Sequence, residues 1–140
     1  MTAGRAFVDT NILVYAVDRG TPDKRARARA VLDELGDAIV ISTQVLLEFH
    51  VTVTRKLASV MTADEGERRV TELSRLDVVT VTAPLVLSAI TLARQQRLSL
   101  WEALIVESAR TRGCSRLLTE DLQHGRAFGR LRVENPFADL

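Results

Sequence analysis

Short apolar runs alternate with longer stretches in which apolar positions recur every three or four residues. Ala6-Phe7-Val8 is apolar at every position and ends at Asp9, which reads as a short buried strand. Thr10 to Val17 then follows a helical pattern. Thr21-Pro22 starts a second helix, with a capping Thr and Pro at the first helical position, and Gly36 stops it after Leu35. Ile39-Val40-Ile41 is a second strand, and Thr43 to about Ala58 a long helix. Thr62-Ala63-Asp64-Glu65 is a capping box that opens a helix to about Leu76. Val78 to Val81 is a third strand. A helix from Thr82-Ala83-Pro84 reaches about Arg97. Ser99-Leu100-Trp101-Glu102 is another capping box, and its helix ends near Gly113. Leu117-Leu118 is a fourth strand, and Leu131 to Val133 a fifth. Uninterrupted apolar strands separated by amphipathic helices predict an α/β fold: a central parallel sheet of four to five strands between two helical layers.

Composition narrows the class without changing that picture. At 140 residues, the chain is the size of one domain spanning 1–140. Hydrophobic residues make up 46% and charged residues 26%, as in a globular chain. A net charge of +1 means that any basic surface must be local. With a single cysteine, Cys114, no internal disulfide can form, and a cytoplasmic location is expected. Two histidines, His50 and His124, add little to that cysteine, which argues against structural zinc. No stretch has the pattern of a signal peptide or a membrane span.

In a parallel sheet, sites form beyond the carboxyl ends of the strands. Asp9 follows the first strand, and Asp121 lies just beyond the fourth. Glu48 lies about two turns into the helix after the second strand, and Glu102 lies in the first turn of the helix opened by Ser99. Each has a simpler reading. Asp9 and Glu102 suit helix capping, Glu48 a solvated helix charge, and Asp121 a turn. Together they are harder to explain, because two carboxylates about 4 Å apart repel by about 4 kcal/mol at an effective dielectric of about 20. No Lys or Arg is interleaved around Asp9, Glu48 or Glu102. Hard oxygen donors without thiolates favour Mg²⁺, or Mn²⁺, over zinc. Thr10, Asn11, Ser42 and Thr119 lie near this edge, suited to orienting carboxylates or water, or equally to capping and turns. His124 near Asp121 reads as peripheral. Arg19, Lys24, Arg25, Arg29, Arg94, Arg97 and Arg126 are candidate phosphate contacts, although any one of them is better read as a solvated helix charge. Few aromatic side chains are present for base stacking.

The stretch Phe7-Val8-Asp9-Thr10-Asn11-Ile12-Leu13-Val14-Tyr15-Ala16 resembles the opening motif of PIN domains, VapC toxins in particular. Ile41 to Phe49, Ser99 to Val106 and Leu118 to Gly125 resemble their second, third and fourth acidic motifs, and Val133-Glu134-Asn135-Pro136-Phe137 their ending. The third motif usually carries Asp where this chain has Glu102. The resemblance implies a PIN fold and a metal-dependent endoribonuclease whose products carry a 5′-phosphate and a 3′-hydroxyl. It implies Asp9, Glu102 and Asp121 as metal ligands, with Glu48 sharing a metal or orienting the attacking water. It also implies a homodimer bound by a cognate VapB-type antitoxin. Two alternatives stand beside it. One is a PIN-fold module that binds RNA or protein without cutting, which Glu102 favours. The other is a haloacid-dehalogenase-like phosphatase, which would want Asp where Asn11 stands.

Overall fold

The computed structural model describes residues 4–56 and 61–140. Its sheet has six strands in the order β3-β2-β1-β4-β6-β5, one more than the four to five expected. β1 (Ala6–Val8), β2 (Ile39–Ser42), β3 (Asp77–Val79), β4 (Arg116–Leu118) and β6 (Leu131–Glu134) run parallel, and β5 (Ala127–Phe128) lies antiparallel on β6. β5 is only two residues long, too short to leave a periodic signal. Every residue of β1 and β2 is buried, as strands covered on both faces must be. Phe7, Val8, Val40, Ile41, Leu117 and Leu118 form the centre of the core.

The helices are α1 (Thr10–Tyr15), α2 (Pro22–Leu35), α3 (Thr43–Val51), α4 (Ala63–Leu73), α5 (Ala83–Gln96) and α6 (Leu100–Thr111). Several ends differ from the pattern, each for a local reason. Thr21 stands at the N-cap of α2, but its hydroxyl makes no cap bond. Thr62 caps α4 by accepting from Glu65 N at 3.2 Å. β3 starts one residue earlier than expected, at Asp77, which Arg5 and Arg112 hold in ion pairs. It also stops short of Val81, whose N–H donates to the Thr43 hydroxyl at 3.2 Å. α3 closes at Val51, and the chain continues through a π-helical turn, Thr52–Lys56. The expected end near Ala58 lies outside the described residues. α4 packs tightly on that turn: a Cβ at Gly66 would come within 2.6 Å of Thr54 Cγ2, so only glycine allows the approach.

The topology fixes where a site can form. From β1 the chain moves to β2 and β3 on one side, whereas β4 and β6 lie on the other. Neighbouring β1 and β4 therefore flank the switch point, where the connections leave in opposite directions and a crevice opens beyond the carboxyl ends. Their register pairs Val8 with Leu118. Asp9 thus emerges beside Thr119, and Asp9 N–H donates to Leu118 O at 3.0 Å. No helix among the described residues is long and apolar enough to cross a membrane.

Candidate active site

Asp9 sits at this switch point and is buried, with 7% of its surface exposed. Both of its carboxylate oxygens are held. Oδ1 accepts from Thr10 N at 2.7 Å, which makes Asp9 the N-cap of α1. Oδ2 accepts from the Thr119 hydroxyl at 2.7 Å. Burial pushes its pKa up to about 6, against the lowering effect of these two donors, and the charges of Asp121 and Glu48 raise it further.

Glu48 and Asp121 join Asp9 through short polar links. Thr10 Oγ1 donates to Glu48 Oε2 at 3.2 Å. Gln44 Nε2 donates to Glu48 Oε1 at 2.7 Å, one helical turn back on α3. Asn11 Nδ2 lies 3.3 Å from Thr119 Oγ1 and 3.2 Å from Asp121 Oδ2, so it bridges the first turn of α1 to the turn after β4. Asp121 N–H also donates to Thr119 Oγ1 at 3.1 Å. The Asp121 carboxyl is raised first by burial; Asn11 lowers it, and the charges of Glu120, Glu102 and Glu48 raise it. The hydrogen bonds gather Asp9, Glu48 and Asp121 around one crevice, and Glu102 lies near enough for its charge to act on Asp121. Among the described residues, no Lys or Arg forms an ion pair with any of the four.

Glu102 also has a second partner. Its Oε1 accepts from Ser99 N at 2.9 Å while Ser99 Oγ accepts from Glu102 N at 3.1 Å, a complete capping box. Capping thus engages one of its oxygens, and its charge still reaches Asp121. Ser42 differs from the other three neutral polar residues: its hydroxyl caps α3 by accepting from Val45 N at 3.3 Å and bonds none of the acids. His124 is exposed, and its Nδ1 accepts from Asn135 N at 2.9 Å.

Two contributors escaped the sequence reading. Gln44 orients Glu48, and its position four residues before Glu48 was the available signal. Glu120, beside Asp121, accepts from Tyr15 Oη at 2.6 Å and from Lys24 Nζ at 3.0 Å. That pairing removes Lys24 from the candidate phosphate contacts. Arg126 is engaged too: it donates to Gln96 O at 3.2 Å and lies 4.7 Å from the centre of the Phe128 ring.

Among the described residues, no three His, Cys, Asp or Glu side chains form a ready-made metal cage. Hydroxyl and amide donors instead stand between Asp9, Glu48 and Asp121. The donor set is nonetheless that of a hard cation: carboxylates, no thiolate, and two buried amide oxygens, Asn11 Oδ1 and Gln44 Oε1, that have no hydrogen-bond partner.

The sheet order, the switch-point crevice and the acids beside it define a PIN-like arrangement. The PIN domain family model matches residues 6–128, and the chain belongs to that family. That membership sets the phosphatase alternative aside. Solved structures agree on the fold. A toxin–antitoxin complex from Klebsiella pneumoniae superposes with a TM-score of 0.70 at 21% identity, covering 94% of this chain and 97% of that one. DNA-bound VapBC from Salmonella typhimurium gives 0.67 at 19%, covering 95% and 98%. VapC20 of Mycobacterium tuberculosis, a toxin that cleaves the sarcin–ricin loop, gives 0.64 at 19%, covering 80% and 86%. No curated protein sequence is similar to the chain at a significant level.

Proposed function

We propose that this protein is a divalent-metal-dependent endoribonuclease that acts as the toxin of a toxin–antitoxin pair. The observation that carries the reading is Asp9: a buried carboxylate with both oxygens fixed, near three further acids that have no ion-pair partner among the described residues. Asp9, Asp121 and the free oxygen of Glu102 would hold Mg²⁺ or Mn²⁺, with Glu48 sharing it or facing water. When bound, such an ion lowers the pKa of its water and offsets charge building on the phosphate.

The chain's own residues supply orientation. Thr10 and Thr119 fix the Asp9 carboxylate, Asn11 fixes Asp121, and Thr10 and Gln44 together hold Glu48 where it can accept a proton from the attacking water. The water oxygen bonds to phosphorus and the P–O3′ bond breaks. The proton lost by the water ends on the departing 3′ oxygen, leaving a 5′-phosphate and a 3′-hydroxyl. The solved VapBC complexes support a cognate antitoxin as partner. An Arg or Lys from that antitoxin would satisfy the acidic crevice in place of the ion.

Sequencing the 5′ ends of RNA fragments after brief expression, beside an Asp9→Asn control, tests the activity. New 5′-phosphate ends that depend on Asp9 are expected; none above the control would sink the reading. Co-purification from the native operon tests the antitoxin. The capping box at Glu102 favours one alternative, a PIN module that binds RNA without cutting it. That alternative predicts RNA binding with no metal-dependent cleavage.

A further inference from the structure

A second polar cleft lies away from the acids, between the segment after α1, the first half of α2, and α4. Its volume is about 750 Å³. Five arginines line it: Arg19, Arg25, Arg29, Arg68 and Arg69. Arg25 and Arg29 are one helical turn apart on α2, so they share a face, and Arg68 and Arg69 approach from α4. The cleft carries three carboxylates, but they leave an excess of positive charge. Asp18 accepts from Gly20 N at 2.9 Å, Glu72 pairs with Arg69 at 3.6 Å, and Glu65 completes the set. Among the described residues, Arg19, Arg25, Arg29 and Arg68 form no ion pair. Arg29 is anchored through Nε to Ala16 O at 2.8 Å, which leaves its two terminal nitrogens free to face the cleft.

Arg25 brings an unpaired donor to the wall of this cleft. Its Nε is buried and has no hydrogen-bond partner. A buried N–H of a charged group left unpaired is costly, and a guanidinium is satisfied best by two oxygens of one anion. Four guanidinium groups around one cleft with no ion pair among the described residues, in a chain whose net charge is only +1, call for several anionic groups in a row. The position of the cleft suggests which. α1 runs from Asp9 toward it and is six residues long, about 9 Å at 1.5 Å per residue. That distance corresponds to about three nucleotides of stacked strand at about 3.4 Å each.

We propose that this arginine cleft is a phosphate-binding subsite that holds the backbone of single-stranded RNA a few nucleotides from the scissile bond. The subsite rests on the ribonuclease reading for its substrate class, but it can be tested without cleavage. The readout is fluorescence anisotropy of a labelled oligouridylate in EDTA, across a salt series. The variants are Arg25→Gln, Arg68→Gln and the pair; Arg130→Gln, in the β5–β6 turn, is the control. Arg68 is exposed, so its variant should fold even if Arg25→Gln does not.

The pair should weaken binding about tenfold or more, and each lost contact should lower the log–log salt slope by about 0.7. Arg130→Gln should leave both unchanged. Wild-type affinity and slope in Arg68→Gln and in the folded pair would overturn the subsite. So would arginine-dependent binding of polyglutamate tighter than that of RNA, which would make the cleft a site for an acidic peptide. If wild type cuts RNA with Mg²⁺ but the variants keep its affinity, the subsite fails and the ribonuclease reading stands. If the variants lose RNA but wild type never cuts, the reverse holds.

Discussion

Asp9 combines three roles in one side chain: cap, charge and proposed ligand. Its folded pKa of about 6 lies above the ordinary carboxylate value of 3.8. The folded protein therefore binds this proton more tightly than the unfolded chain, and the associated stability is present in full below the unfolded value. It is lost as pH rises from about 3.8 to about 6, by about 3 kcal/mol for a group this buried. Asp9→Asn removes the charge but fits imperfectly. Thr10 N–H and the Thr119 hydroxyl both donate to Asp9, and an amide offers only one oxygen, so a bond worth about 1 kcal/mol is lost. In EDTA, Asp9→Asn should thus melt above wild type at about pH 7.5 and lose that advantage toward about pH 4. Mg²⁺ should raise the melting temperature of wild type alone, and Asp9→Asn should cleave no RNA. A melting difference that is flat with pH would mean that burial does not raise the Asp9 carboxyl. At Glu102, the two oxygens separate capping from ligation. Glu102→Gln keeps an oxygen for Ser99 N, so stability should fall by about 1 kcal/mol or less while cleavage is largely lost. Glu102→Asp should raise cleavage if the extra methylene displaces the ligand, since Mg²⁺ tolerates little deviation from about 2.1 Å. Initial rates, Mg²⁺ titrations and melts of the three proteins decide this; unchanged rates with a lowered melt would make Glu102 a cap alone.

The secondary-structure elements were mostly legible because their signals are local. Asp9 and Asp121 follow apolar runs, Ser99 and Glu102 form a capping box, and Pro22 marks the start of α2. What could not be read depends on partners distant in sequence. The end of β3 follows from the Thr43 hydroxyl, and β5 exists only as a partner of β6. The strut that holds Glu120 joins residues 105 and 96 positions apart, with Tyr15 and Lys24 on one side and the turn after β4 on the other. In the same cluster, Lys24 Nζ lies 4.6 Å from the centre of the Tyr15 ring, and the Tyr15 ring packs edge-on against Phe137 at 5.0 Å. The strut ties α1, α2 and the chain's end to the turn that carries Asp121. Lys24→Met should therefore leave Glu120 facing Asp121 without a cation. We expect a loss of stability of about 1 kcal/mol, because the pair is partly exposed, and a smaller Mg²⁺ requirement for cleavage, because the acids lose a nearby positive charge. Cleavage at an unchanged Mg²⁺ midpoint would show that the charge of the strut does not reach the site.

Over the whole molecule, charge and apolar surface are segregated. The acids occupy the crevice, the arginines the cleft beyond α1, and exposed apolar side chains a third region. Leu47 and Trp101 are 70% and 65% exposed, more than a single folded chain needs, and with Val51 they line one groove between α3 and the start of α6. Gln44 and Glu48 lie on the same groove, so whatever covers it borders the acidic crevice. A second copy is the occupant implied by the resemblance to VapC toxins, and a two-fold interface needs a face that is complementary to itself. A large aromatic and a leucine at the centre of such a face are the side chains whose burial contributes most to association. Light scattering after size exclusion should therefore give twice the chain mass for wild type. Leu47→Glu together with Trp101→Ser should give a monomer that melts cooperatively. Both residues sit outside the core, so the fold should survive. A monomeric wild type, or a double variant that stays dimeric, would move the interface elsewhere and leave this groove to a different partner.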